Sequence, residues 1–156
     1  MDNLTPVPLH SPQDTPYRVL YIDDEAILLE ITVRYLENIV GLTVDTAESA
    51  VKGLEMLKRQ DYDAIISDYE MPGKNGIELL KELRDAGNDI PFIIFTGRGR
   101  EEVAIAALNA GADFYLQKGG EPEAQFTELI NAVTQAVQRR RTEKKLRHSE
   151  SEKNRS

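Results

Sequence analysis

The sequence predicts an α/β chain: a single doubly wound (βα)5 parallel sheet with an extended C-terminal helix. Three observations carry this. Short apolar runs alternate five times with segments of helical periodicity. The third and fourth runs, "AII" and "FIIF", are continuously apolar, as strands buried on both faces must be. Glycines close two of the helical segments where a left-handed cap is favoured.

In order, "YRVLYI" (17–22) reads as the first strand, and 25–39 as a helix with Leu28, Ile31, Tyr35, Leu36 and Ile39 as its apolar stripe. "LTVDTA" (42–47) is the second strand, followed by a helix over 49–59. "YDAIIS" (62–67) is the third strand, and the next helix (76–87) ends on Gly87. "IPFIIF" (90–95) precedes a helix over 100–111, closed by Gly111. "ADFYLQ" (112–117) is the last strand, and a long helix begins near Pro122, a residue suited to a first turn. Right-handed crossovers leave few topologies. No G-x-G-x-x-G follows the first strand, which disfavours a dinucleotide fold and favours the flavodoxin-like strand order 2-1-3-4-5.

Residues 1–16 hold four of the seven prolines and read as a disordered tail; 17–137 form the domain, and 138–156 a charged helical extension or linker. The net charge of −8 argues against nucleic acid or an anionic membrane as partner. It is unevenly spread: residues 138–156 carry eight Lys/Arg against three Asp/Glu, net +5, and the remainder eleven against twenty-four, net −13. With no cysteine, disulfides, thiol catalysis and thiolate metal sites are excluded. His10 and His148 lie far apart in polar end regions and do not make a zinc site. No apolar run approaches a membrane span, and the N-terminus does not read as a signal peptide, so a cytoplasmic location is expected.

Ligands of open parallel sheets sit beyond the carboxyl ends of the strands. There the sequence places Asp23, Asp24 and Glu25 after the first strand, Asp68 after the third, Thr96 after the fourth and Lys118 after the fifth. Strands one and three are neighbours in this order, which gathers Asp23, Asp24 and Asp68. Each carboxylate pair at about 4 Å costs roughly 4 kcal/mol at an effective dielectric near 20. Either a proton is retained or a cation belongs there, and oxygen ligands alone select a hard ion such as Mg²⁺. Carboxylate, Mg²⁺, lysine and hydroxyl together suit phosphoryl chemistry. Taken singly, each residue also fits a bland role: helix cap, turn residue or loop start.

The motifs "YIDDE" (21–25), "SDYEMPGKNG" (67–76), "IIFTG" (93–97) and "GADFYLQK" (111–118) resemble those of the receiver domain of two-component response regulators, of the CheY-like family. The resemblance implies that Asp68 accepts a phosphoryl group from a sensor histidine kinase or a phosphotransfer protein. It implies that Asp24, Asp68 and the Glu70 backbone carbonyl ligate Mg²⁺, with Asp23 acting through water. Lys118 would pair with the acidic site and then the phosphoryl oxygens, while Thr96 and Tyr115 would act as the switch residues. Glu70 and Arg98, at the site mouth, are expected to tune the phosphate lifetime. Gly119 stands where the family usually has proline, commonly after a cis peptide. Output is expected through helix 4, strand 5 and helix 5, to a downstream protein or fused domain, and a homodimer through that surface is one such arrangement. Beyond self-phosphorylation and autodephosphorylation, no enzyme activity is expected.

Two other classes compete: a phosphorylation-independent scaffold with a vestigial site, and a Mg²⁺-dependent aspartyl phosphatase of the haloacid-dehalogenase type. The full Asp23, Asp24, Asp68, Thr96 and Lys118 set argues against the first, and "DDE" on the first strand fits the second poorly. For the extension, a solvated tail, a linker helix to a further domain, and a nucleic-acid contact stay open. His148 is followed by no kinase-like phosphorylation box.

Overall fold

The computed structural model describes residues 17–38, 42–97 and 100–155. The expected 1–16 tail, Ile39 and Arg98 lie outside the described residues. In chain order the elements are β1 (Tyr17–Ile22), α1 (Ala26–Glu37), β2 (Leu42–Ala47), α2 (Ala50–Arg59), β3 (Ala64–Ser67), α3 (Gly76–Asp85), β4 (Phe92–Thr96), α4 (Glu101–Asn109), β5 (Phe114–Gln117) and α5 (Pro122–Arg155). All five strands are parallel, in the order β2-β1-β3-β4-β5, as the sequence predicts.

Strand alternation divides the core into two layers. Val19 and Tyr21 of β1, Ile66 of β3 and Phe95 of β4 face α1 and α5, where Leu29, Leu36, Leu129 and Val133 are buried against them. Leu20, Ile22, Ile65 and Ile94 face the other way, onto Leu79 and Leu80 of α3 and Ala107 of α4.

The predicted stripe of α1 is out of phase. The helix buries Leu29, Thr32 and Leu36, while Ile31 is 54% exposed. The segment "AILLEITVRYLE" is apolar on several faces, so periodicity alone does not fix which one turns inward. The stripe of α5 is as expected: Phe126, Leu129, Ile130, Val133 and Val137 are buried, and Phe126 stacks on Tyr35 at 4.5 Å between ring centres.

At 34 residues, α5 is about 51 Å long and runs well past the sheet. Its contacts with the domain continue beyond Val137. Gln138 donates to the Tyr17 hydroxyl (2.6 Å), Arg140 pairs with Asp113 (3.2 Å), and Arg141 with Asp63 (3.6 Å). Asp113 also accepts the Phe92 N–H at 2.8 Å and faces Arg84 at 3.7 Å. These pairs bind the helix to the amino ends of β1, β3, β4 and β5. Among the described residues no helix is long and apolar enough to cross a membrane.

Candidate phosphoryl-acceptor site

At the opposite edge, the sheet ladder runs on into the acidic residues. The Asp23 N–H bonds the Ala47 carbonyl (3.0 Å) and the Asp68 N–H the Ile22 carbonyl (2.9 Å), so both aspartates ride on rigid strand ends. Asp23 is fully buried and Asp68 is 4% exposed. Lys118 N–H bonds the Thr96 carbonyl at 3.0 Å, which fixes the last strand's exit beside the fourth.

The Lys118 ammonium lies 2.6 Å from Asp23 Oδ2 and 3.3 Å from Asp68 Oδ2. It also sits over the Phe95 ring, 5.7 Å from its centre, a cation–π contact. Asp23 Oδ1 accepts the Glu25 N–H at 3.0 Å, and Asp68 Oδ1 accepts the Tyr69 N–H at 2.7 Å. Asp23, Glu25 and Asp68 each bring a carboxylate oxygen within 4.8 Å of the others. Asp24 is exposed and stands outside that group. Glu25 is among the carboxylates that the sequence places after the first strand, but the family motif assigns it no metal role.

Burial raises the Asp23 pKa above its ordinary value, opposed by its hydrogen bonds to Lys118 and the Glu25 N–H. Burial alone would lower the Lys118 pKa, but the hydrogen bond and charge of Asp23, then Asp68, outweigh it and raise it. Lys118 is thus a fixed cation, and it stands against an excess of carboxylate. An all-oxygen donor set with surplus negative charge fits a hard divalent cation such as Mg²⁺.

Gly76 explains the loop that follows Asp68. A Cβ there would lie 2.3 Å from the Asp68 backbone oxygen, so only glycine lets the start of α3 approach this close. The Gly76 N–H bonds the Tyr69 carbonyl (2.8 Å), and Asn75 with Glu78 forms a capping box that starts α3. The Lys118–Gly119 peptide is trans, and Gly119 adopts φ +108°, a conformation closed to proline.

Thr96 is fully buried at the end of β4. Tyr115 is half-buried, with its hydroxyl sheltered and making no hydrogen bond of full geometry. Burial raises its pKa, with the nearby Gln117 amide acting weakly the other way. Glu70 is exposed.

Known proteins share this sequence pattern and fold. The family model "response regulator receiver domain" matches residues 19–133. The response regulator MprA of Mycobacterium leprae (strain TN) is 38% identical over 101 residues, 65% of this chain and 44% of that protein. MprA of Mycobacterium sp. (strain KMS) is 35% identical over 103 residues, again 44% of its length. The chain therefore spans less than half the length of these relatives. The receiver domain of Francisella response regulator 1452 superposes with a TM-score of 0.71 at 30% identity, over 79% of this chain and 98% of that one. A receiver domain protein of Clostridium thermocellum gives 0.71 at 31% identity, over 81% and 98%. By sequence and by fold, this chain belongs to the response regulator receiver domain family of two-component signalling.

Proposed function

We propose that this receiver domain accepts one phosphoryl group on Asp68 and that the change is read by a partner protein or a fused domain. The observation that supports this most is Lys118, shared between two buried carboxylates with Glu25 alongside. The donor is a phosphohistidine on a sensor histidine kinase or a phosphotransfer protein. In the transfer, Asp68 Oδ2 attacks phosphorus, the P–N bond breaks, and the imidazole nitrogen keeps the electron pair.

Each protein group has a task. The Tyr69 N–H holds Asp68 Oδ1, which leaves Oδ2 beside Lys118 as the attacking atom. Lys118 then shifts from Asp68 to a phosphoryl oxygen, where its charge meets the charge that develops. When bound, Mg²⁺ neutralises phosphoryl charge; Asp23, Glu25 and Asp68 would hold it, with the family pattern adding Asp24 and the Glu70 carbonyl. Thr96 turns its hydroxyl to the phosphoryl group and Tyr115 packs behind it. Glu70 and Arg98 set access of hydrolytic water at the mouth. The surface that responds is α4, β5 and α5, where Ile105 and Leu108 are exposed apolar residues. The domain extends over 17–137, works in the cytoplasm, and uses residues 138–156 as a linker helix.

The test is intact mass after incubation with acetyl phosphate and Mg²⁺. One added phosphoryl group, absent in Asp68→Asn and in EDTA, is expected. An adduct that survives in Asp68→Asn would move the acceptor elsewhere. Absence of both an adduct and a beryllofluoride complex would favour the vestigial scaffold.

A further inference from the structure

The floor of the site holds one polar group that neither the family pattern nor the proposed chemistry uses. Tyr21 and Asp23 are two residues apart and so face the same side of the sheet. A tyrosine at this spacing is long enough to carry its hydroxyl up the strand to the carboxylate. Its OH lies 3.5 Å from Asp23 Oδ2, the oxygen that Lys118 also takes, and the residue is fully buried. Its ring is tilted against Phe95, 6.5 Å between centres, and Phe95 in turn lies beneath the Lys118 ammonium. Burial foremost, then the charge of Asp23, raises the Tyr21 pKa, with the Thr32 hydroxyl of α1 acting weakly in the opposite direction. The phenol stays protonated and can donate to Asp23.

From this geometry we infer that Tyr21 is a positioning residue: its buried hydroxyl orients the Asp23 carboxylate for the divalent cation of the site. The inference rests on the reading of Asp68 as acceptor. Without this donor, the Glu25 N–H and Lys118 alone would orient Asp23, and a buried carboxylate with more freedom is a poorer partner for a cation.

Tyr21→Phe removes one oxygen and keeps the ring packing. Two quantities separate positioning from mere stability: the Mg²⁺ concentration at half-saturation, read by NMR titration without phosphoryl donor, and the acetyl phosphate rate at saturating Mg²⁺. The expected result is a half-saturation raised about threefold to tenfold, the effect of one buried hydrogen bond. The saturated rate should stay within about twofold. Unchanged half-saturation, with or without a lower melting temperature, overturns the inference and leaves the Asp68 reading standing. A wild-type chain that takes neither Mg²⁺ nor phosphoryl overturns both. If Tyr21→Phe does not fold, the hydroxyl proton of Tyr21 in the unmodified chain serves instead. Its NMR signal should shift on adding Mg²⁺, and a signal that does not move contradicts the inference.

Discussion

The two ends of one sheet treat their acids in opposite ways. At the amino ends of the strands, Asp113 accepts the Phe92 N–H and faces Arg140 and Arg84, while Asp63 accepts the Arg18 N–H and pairs with Arg141. At the carboxyl ends, Asp23, Glu25 and Asp68 converge, and among the described residues the cation paired with the two aspartates is Lys118. One edge is balanced and ties the long helix to the domain. The other is short of positive charge, which favours binding a cation. Charge balance, more than the presence of acids, separates a structural cluster from a working one.

The sharpest way to break this contrast is to exchange acids at each edge. Asp68→Asn should abolish phosphoryl uptake in the mass assay, whereas Asp113→Asn should leave it intact. The next effect is steric. Gly76→Ala places a Cβ against the Asp68 carbonyl and should cost about 3 kcal/mol in urea unfolding. Gly97→Ala, whose Cβ would meet the Lys118 stem at an ordinary 3.6 Å, should cost far less. At the balanced edge, Asp113→Ala strands the Phe92 N–H and takes the close partner of Arg140 away, and should cost about 2 kcal/mol without moving Mg²⁺ affinity.

The pH dependence runs with the unbalanced edge. Because burial raises the Asp23 pKa, the folded chain holds that proton more tightly than the unfolded chain. This contribution is full below the ordinary aspartate value and is lost as pH rises through the raised one. In Mg²⁺-free buffer, the stability of Asp23→Asn relative to wild type should therefore rise as pH climbs above the ordinary aspartate value, read from urea midpoints. The smallest effect is at Arg140, whose pairs are partly solvated. Arg140→Gln should cost about 1 kcal/mol, and less at high salt.

Much of this is legible in the sequence. Continuous apolar runs in β3 and β4 fix a sheet covered on both faces, and parallel crossovers then bring Asp23, Asp68, Thr96 and Lys118 to one edge. The phase of α1 was not legible, because its apolar residues span several faces. Nor was the approach of the Glu25 carboxylate to Asp23 and Asp68, which depends on the path of the loop after β1. The arginine clasp was hidden for a different reason. "RRR" reads as solvated charge until the fold brings Asp63 and Asp113, far away in sequence, beneath it.

The most direct test of the contrast is a residue-resolved NMR titration with Mg²⁺ alone. Shifts confined to residues 23–25, 68–70 and 118, with none at Asp63, Asp113 or Arg140, are the predicted result. Shifts at the arginine-paired edge, or none at the carboxyl ends of β1 and β3, would contradict it.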